Sequence, residues 1–302
     1  MSAIRKGPVM SAHSSPGYAG ASQEAIEHHY DLSNDFYALW LDPSLTYSCA
    51  LWEPGDSLEQ AQTRKIDYHI TQARADSAER VLDIGCGWGS TLQRLIRTHG
   101  TDCAVGLTLS RQQAGLARAR TWPYGDIRLE NWVDHQPDEP YDSIICIGAF
   151  EHFARLQLSR IEKIAAYRAF LSRCHSWLRP GGRLSLQTIS LEAIPDNPDL
   201  LLDLTFIART IFPESQLPTL AEIHEAGAGT LSLVHTRADG ADYARTCRCW
   251  LARLLTVRAE ATAVVGEAMT LSYERYLRAS ARLFEHGCTQ LLRLTFERTS
   301  PH

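Results

Sequence analysis

Val81-Leu82-Asp83-Ile84-Gly85-Cys86-Gly87-Trp88-Gly89 is the stretch that decides how this chain folds. An apolar run of strand length breaks at its carboxyl end into alternating glycines, and Ser90-Thr91 then open a segment with helical spacing. A buried parallel strand turning through glycine into a helix begins an open α/β sheet. Glycine lets the backbone approach a ligand closely there, and the helix N-terminus presents unpaired N–H groups to it. A turn whose glycines serve packing alone reads the same way locally. Two details bear on the ligand. The glycines run G-x-G-x-G rather than G-x-G-x-x-G, and the next strand, Ala104 to Leu107, carries no acidic residue to take a dinucleotide's ribose. Both point away from NAD and toward S-adenosylmethionine (SAM).

Working outward, Arg80 to Ile84, Ala104 to Leu107, Ile127 to Leu129, Ser143 to Ile147 and Arg183 to Thr188 read as strands. Helices at about 90 to 99, 110 to 120 and 160 to 178 alternate with them, the last stopped by Arg179-Pro180-Gly181-Gly182. Two further strands, near 231 to 235 and 288 to 297, are separated by two helices at about 242 to 264 and 267 to 285. The alternation specifies a doubly wound, mostly parallel sheet of seven strands ending in a reversed hairpin. Residues 1 to 22, rich in Ser, Gly and Ala, read as a loose arm that Tyr18 could anchor on a neighbouring surface, so that a homo-oligomer joined through the arm is conceivable. Residues 23 to 75 carry helical patterning, with Asp56 or Ser57 capping a helix that starts at Leu58, and are expected to form a lid. Residues 76 to 302 make up the remaining domain. Between Ser190 and Pro218 the pattern breaks into proline-punctuated apolar segments, which fit a cap over a hydrophobic substrate and equally a plain packing insert.

Composition narrows the function. The chain's 302 residues suffice for a full core, and its net charge of -5 argues against a nucleic-acid partner. It has neither an apolar run of membrane-spanning length nor a signal-peptide layout, so a soluble cytoplasmic protein is expected. Its eight cysteines are scattered, and Cys247-x-Cys249 is too close for a usual zinc pair; reduced thiols and no metal are expected. Among candidate site residues, Gly85 and Gly87 are placed to meet the methionine part of SAM through backbone. Asp83 either orients that turn or touches the ligand. Ser110 and Gln113 form a capping-box pattern, and Trp132, after the third strand, could stack on adenine or belong to the core.

Several other stretches, in order along the chain, carry a family resemblance. They are His29-Tyr30-Asp31-Leu32-Ser33-Asn34-Asp35-Phe36-Tyr37, Leu41-Asp42-Pro43-Ser44-Leu45-Thr46-Tyr47-Ser48-Cys49-Ala50 and Gly106-Leu107-Thr108-Leu109-Ser110-Arg111-Gln112-Gln113. Further on come Ile147-Gly148-Ala149-Phe150-Glu151-His152-Phe153, Ile211-Phe212-Pro213 and Tyr243-Ala244-Arg245-Thr246-Cys247-Arg248-Cys249-Trp250. With the glycine turn, they resemble the cyclopropane fatty acid and mycolic acid cyclopropane synthases over roughly residues 27 to 297. The resemblance implies a Rossmann-like class I SAM-dependent methyltransferase. It places Thr108, Leu109 and Gln113 along the cofactor, and Tyr30, Tyr47 and Ser48 in a lid over the sulfonium.

Methylating an isolated alkene leaves a carbocation that must be shielded from water. Glu151 would set a negative charge near it, and Phe150, Phe153, Tyr30 and Tyr243 could add aromatic faces, each worth about 2 kcal/mol when desolvated. In the family a bicarbonate is held by groups that map onto Cys49, Ile147, Glu151 and Tyr243, with a further holder in the His of a His-Thr-Ile triplet. That triplet is Gln187-Thr188-Ile189 here. Glutamine carries no positive charge, which weakens anion binding and leaves His152, Tyr243 or water as the proton acceptor. On this ground the expected substrate is a hydrophobic prenyl or terpenoid natural product, in line with a similarity to teleocidin-type prenyl C-methyltransferases. The alternative is a cyclopropane or methyl-branching synthase acting on unsaturated fatty acyl lipids. A third reading is a SAM-binding protein without catalysis.

Overall fold

The computed structural model describes residues 19–22, 25–26, 33–121 and 123–299. One seven-stranded sheet organises them. Its strands are β1 (Arg80–Ile84), β2 (Cys103–Thr108), β3 (Gly125–Leu129), β4 (Tyr141–Ile147), β5 (Leu178–Leu191), β6 (Ser232–Ala238) and β7 (Thr289–Glu297), in the spatial order β3-β2-β1-β4-β5-β7-β6. All neighbouring pairs are parallel except those made by β7, which runs antiparallel to both β5 and β6. The strand order reverses between β1 and β4. In open α/β sheets, that switch point opens the crevice that takes ligands at the strands' carboxyl ends.

The helices form where caps and apolar faces dictate. Ser57 caps α2 (Leu58–Ala73) in a reciprocal box with Gln60, and α2 buries Ile66, Ile70 and Ala73 against Val81 and Ile145 of the sheet. Ser33 caps the short α1 (Asn34–Trp40), whose aromatic residues pack into a second core. Between the early strands run α3 (Ser90–Thr98), α4 (Arg111–Thr121) and α5 (Arg160–Trp177), the last capped by Ser159 and Glu162. After β5 come α6 (Pro198–Phe206), a π-helical turn at Ile207–Ile211 and α7 (Leu220–Gly227). The chain then adds α8 (Gly240–Thr256), α9 (Arg258–Val265) and α10 (Glu267–Glu285) before β7.

The elements differ from the sequence expectation in three places. Strand β5 continues to Leu191, because β7 pairs with it from Arg183↔Glu297 to Leu191↔Thr289. The single helix expected over 242 to 264 is two, bent at Val257, so that Ala261 enters the aromatic core and Arg258 reaches Glu274 (Nε–Oε1 2.8 Å). Helix α7 follows the proline-rich segment; Thr219 and Glu222 cap it reciprocally, a signal present in the sequence. Tyr18 and Tyr30 lie outside the described residues. Among the described residues, no helix is long and apolar enough to cross a membrane.

Candidate functional site

The glycine turn after β1 needs its glycines. Gly85, Gly87 and Gly89 have φ of 78°, 53° and 81°, the left-handed region that side chains disfavour. A Cβ on Gly85 would lie 2.5 Å from the Ala149 Cβ, so the turns after β1 and β4 close on each other there. A Cβ on Gly87 would meet no protein atom within 4 Å. Gly87 instead borders a cavity of about 130 Å³ at the β1/β4 switch point.

That cavity gathers Asp83, Gly85, Gly87, Thr108, Leu109, Gln113, Trp132 and Ile147, together with Tyr47 and Ser48 from the segment before α2. These are the expected cofactor residues apart from Tyr30. Ser110 accepts from the Gln113 N–H (3.1 Å), while the Gln113 side chain is turned to Thr108, whose hydroxyl donates to Oε1 at 2.9 Å. Only half of the expected capping box is therefore made, and the glutamine amide is held at the cavity. Trp132 packs edge-on against Phe170, ring centres 5.3 Å apart, and also borders the cavity. Sequence patterning gives no sign of three other liners, Lys65, Glu130 and Asn131. Glu130, at the end of β3, stands one strand beyond the β2 position where a ribose-binding acid was sought, and its carboxylate lies 3.3 Å from His135 Nδ1.

Asp83 is buried, and its Oδ2 has no hydrogen-bond partner. Burial raises its carboxyl to about 7, against the opposing pull of Lys65 and a hydrogen bond from Thr91.

A second, larger cavity of about 440 Å³ adjoins the first, and Tyr47, Gly148 and His152 line both. Its walls are mostly apolar: Ile189, Leu191, Leu204, Ile207, Leu283 and the rings of Phe212, Tyr276 and Phe284. Glu151 and Tyr243 line it as well. The turn after β4 sets the carboxylate in place. Gly148 adopts φ 70°, and Phe150 is driven into the core, stacked on Tyr167 at 4.6 Å, which anchors the 3₁₀ turn Phe150–His152. Glu151 Oε1 accepts from the Ile189 N–H at 2.7 Å, whereas its Oε2 is buried without a partner. Burial pushes this carboxyl up to about 7, although the Ile189 and Thr188 bonds oppose it. His152 Nδ1 lies 2.6 Å from the Ser215 hydroxyl, and burial pushes the imidazole down to about 4, so it is neutral at physiological pH.

The aromatic expectations are corrected in part. Phe150 is a core residue that borders neither cavity, and Phe153 lines the smaller cavity, where the cofactor is expected. The rings that surround the larger cavity are Tyr47, Phe212, Tyr243, Tyr276 and Phe284.

Cys49 and Gln187 also line neither cavity. The Cys49 thiol donates to the Ala50 carbonyl (3.1 Å), and burial pushes its pKa to about 12. Gln187 Oε1 accepts from Arg293 Nε at 3.0 Å and from His69 Nε2 at 3.2 Å. Because an amide oxygen only accepts, His69 carries its proton on Nε2, and its Nδ1 accepts from the Ser185 hydroxyl (2.8 Å). Arg293, fully buried, spends its remaining donors on Asp239 and on the Ala50 and Cys49 carbonyls.

Comparison with known proteins agrees with this geometry. The family model for mycolic acid cyclopropane synthetase matches residues 19–294. Cyclopropane mycolic acid synthase 2 of Mycobacterium leprae is 35% identical over 290 residues, covering 90% of this chain and 92% of that protein. The structure of the cyclopropane synthase MmaA2 from Mycobacterium tuberculosis superposes with a TM-score of 0.84 at 35% identity, covering 92% of this chain and 99% of that one. The mycolic acid cyclopropane synthase CmaA1 complexed with S-adenosylhomocysteine (SAH) and CTAB gives 0.83 at 31% identity, with 92% and 99% covered. A geranyl diphosphate C-methyltransferase from Streptomyces coelicolor shares the fold (TM-score 0.64; 94% and 100% covered) at 17% identity. The chain belongs to the mycolic acid cyclopropane synthetase family of SAM-dependent, Rossmann-like methyltransferases.

Proposed function

We propose that this chain transfers the methyl group of SAM to an isolated C=C bond of an unsaturated fatty acyl chain and closes a cyclopropane ring. The observation that carries the reading is the unpartnered Oε2 of Glu151, buried in an apolar cavity that joins the cofactor cavity. The acyl substrate takes precedence over the prenyl one for two reasons. Relatives at 33–37% identity are mycolate cyclopropane synthases, whereas the geranyl enzyme at 17% shares only the fold. The prenyl expectation also rested on Gln187, which borders neither cavity and so does not report on what occupies the larger one.

In this reading Gly85, Gly87 and Asp83 would hold the methionine end of SAM and Trp132 its adenine. SAM supplies a methyl group made electrophilic by a sulfonium. The alkene's electron pair forms the new C–C bond, and the neighbouring alkene carbon becomes a cation. Glu151 stabilises that charge from a buried, mostly apolar site, where a fixed carboxylate counts for more than in solvent. Tyr47, Tyr243 and Tyr276 line the same space, and a ring face turned to the cation would add about 2 kcal/mol where desolvated. Glu151 then takes a proton from the transferred methyl, and that C–H electron pair closes the ring onto the cation. The products are SAH, the cyclopropane and one proton.

The bicarbonate that the resemblance implies is poorly served here. Gln187 is uncharged and borders neither cavity, the Cys49 thiol proton is committed to the Ala50 carbonyl, and the cation behind them, Arg293, is paired with Asp239. No proton is therefore routed through bicarbonate in this scheme.

The test is transfer from methyl-tritiated SAM to parallel substrates, cis-monounsaturated acyl lipids and prenylated indoles. Label in the acyl chain supports the proposal. Label only in the prenyl substrates would restore the terpenoid reading, and no transfer with intact SAM binding would favour a non-catalytic protein.

A further inference from the structure

Two lysines among the described residues are buried, and their surroundings differ. Lys163 in α5 is 5% exposed and pairs with Glu222 at 2.9 Å. Lys65 in α2 is 1% exposed, and its one hydrogen bond among the described residues goes to a neutral group, the Ser48 hydroxyl (Nζ–Oγ 2.7 Å). A buried ammonium without a counter-charge is costly, and such a group persists where something other than fold stability uses it. Lys65 borders the cofactor cavity, and so do Ser48 and Asp83. Asp83 brings the opposite deficit, a buried carboxylate oxygen with no donor. One wall of the cavity therefore holds a cation and an anion that attract each other but that, among the described residues, form no direct ion pair.

The methionine end of SAM is a zwitterion, with an α-ammonium and an α-carboxylate on one carbon. We propose that Lys65, reaching from α2, binds the α-carboxylate of SAM while Asp83 takes the α-ammonium. Ser48 keeps the Lys65 ammonium directed at the cavity, which also ties the segment before α2 to the cofactor. The electrostatics agree: burial lowers Lys65 and raises Asp83, both to about 7, and a zwitterion would return each to its charged form. This inference rests on the cofactor placement proposed above.

The experiment is a comparison of two ligands across two proteins, read by calorimetry at pH 7. The ligands are SAM and decarboxylated SAM, which differ only in the α-carboxylate; the proteins are wild type and Lys65→Met. Wild type should prefer SAM at least tenfold. Lys65→Met should lose at least tenfold in SAM affinity, about 1.4 kcal/mol, while its affinity for decarboxylated SAM stays within about twofold. Because the substitution removes a buried charge, its ligand-free melting temperature should match or exceed that of wild type. Lys65→Gln serves the same comparison if Met perturbs the fold. Equal losses for both ligands would make Lys65 a determinant of cavity shape, and a preference for SAM surviving in the variants would leave it without a carboxylate; either result overturns the inference. Trp132→Ala separates this from the cofactor placement. If it leaves SAM affinity unchanged, the placement is wrong, whereas a lost preference in Lys65→Met together with weakened binding in Trp132→Ala supports both.

Discussion

The two cavities that meet at Tyr47, Gly148 and His152 are built on opposite principles. The cofactor cavity is lined by short consecutive runs at the carboxyl ends of β1 to β4, with glycine φ angles and the opening of α3 setting its shape. The larger cavity is walled by single side chains from β5, α6, the π-turn, α8 and α10, segments that come together only in the folded molecule. One is shaped largely by backbone turns and carries the charged groups Lys65, Asp83 and Glu130; the other is built from single side chains and is mostly apolar. On the proposed function, the contrast means that the methyl donor is held by local geometry while the substrate is chosen by tertiary packing. Substitutions at the junction and on either side should accordingly separate turnover from cofactor binding.

The largest separation is expected at Glu151. Glu151→Gln should lower turnover by about 10²- to 10⁴-fold, the range for losing a charge that faces the transition state and accepts its proton. Its SAM affinity should stay within twofold of wild type by calorimetry. An equal loss of both would make Glu151 a structural residue. The pH dependence follows from its raised carboxyl. The ionised form is the active one, so kcat/KM should fall as pH drops through about 7 and level off above it. Stability runs the other way. The unfolded chain releases this proton near the ordinary carboxylate value and the folded state only near pH 7, so the stability Glu151 allows falls between those two pH values and the full cost remains above about pH 7. Glu151→Gln should therefore melt no lower than wild type at pH 8.

Gly87→Val should weaken SAM by a hundredfold or more while the purified protein remains folded, because a branched side chain would project into the cofactor cavity and must also adopt φ 53°. Unchanged affinity would show that the cofactor does not lie over this turn. A milder loss, about tenfold in SAM affinity, is expected of Trp132→Ala, which removes a stacking face on the same side of the boundary. The smallest effect is expected for Tyr243→Phe. The ring stays stacked on Phe284, centres 4.6 Å apart, and only the hydroxyl is lost, so turnover should fall by a few-fold with SAM affinity intact.

What was legible in the sequence follows the same division. Gly85-x-Gly87-x-Gly89, the strand limits around it and the cofactor liners from Thr108 to Trp132 are readable because each is a local pattern fixed by φ, capping or strand period. Glu151 is readable because it stands just after β4. The rings of Tyr276 and Phe284 are not, since they lie on an ordinary amphipathic helix whose partner faces are far away in sequence. Lys65 falls on the inward stripe of α2 with Leu58, Ala61, Ile66 and Ala73, but helical spacing does not tell that it borders a cavity rather than the core. Gln187 misled in the other direction. Its place in a motif suggested contact with the reacting groups, but Arg293 and His69, distant in the chain, hold its amide oxygen in a polar layer beside the two cavities.

The most direct test of the account is the fate of a labelled methyl carbon. Wild-type enzyme incubated with methyl-¹³C SAM and a cis-monounsaturated acyl lipid should yield a product whose labelled carbon is a methylene bonded to both former alkene carbons, seen by NMR as a three-membered ring. A labelled carbon found as an intact methyl on a prenyl chain, with the acyl lipid recovered unlabelled, would contradict it.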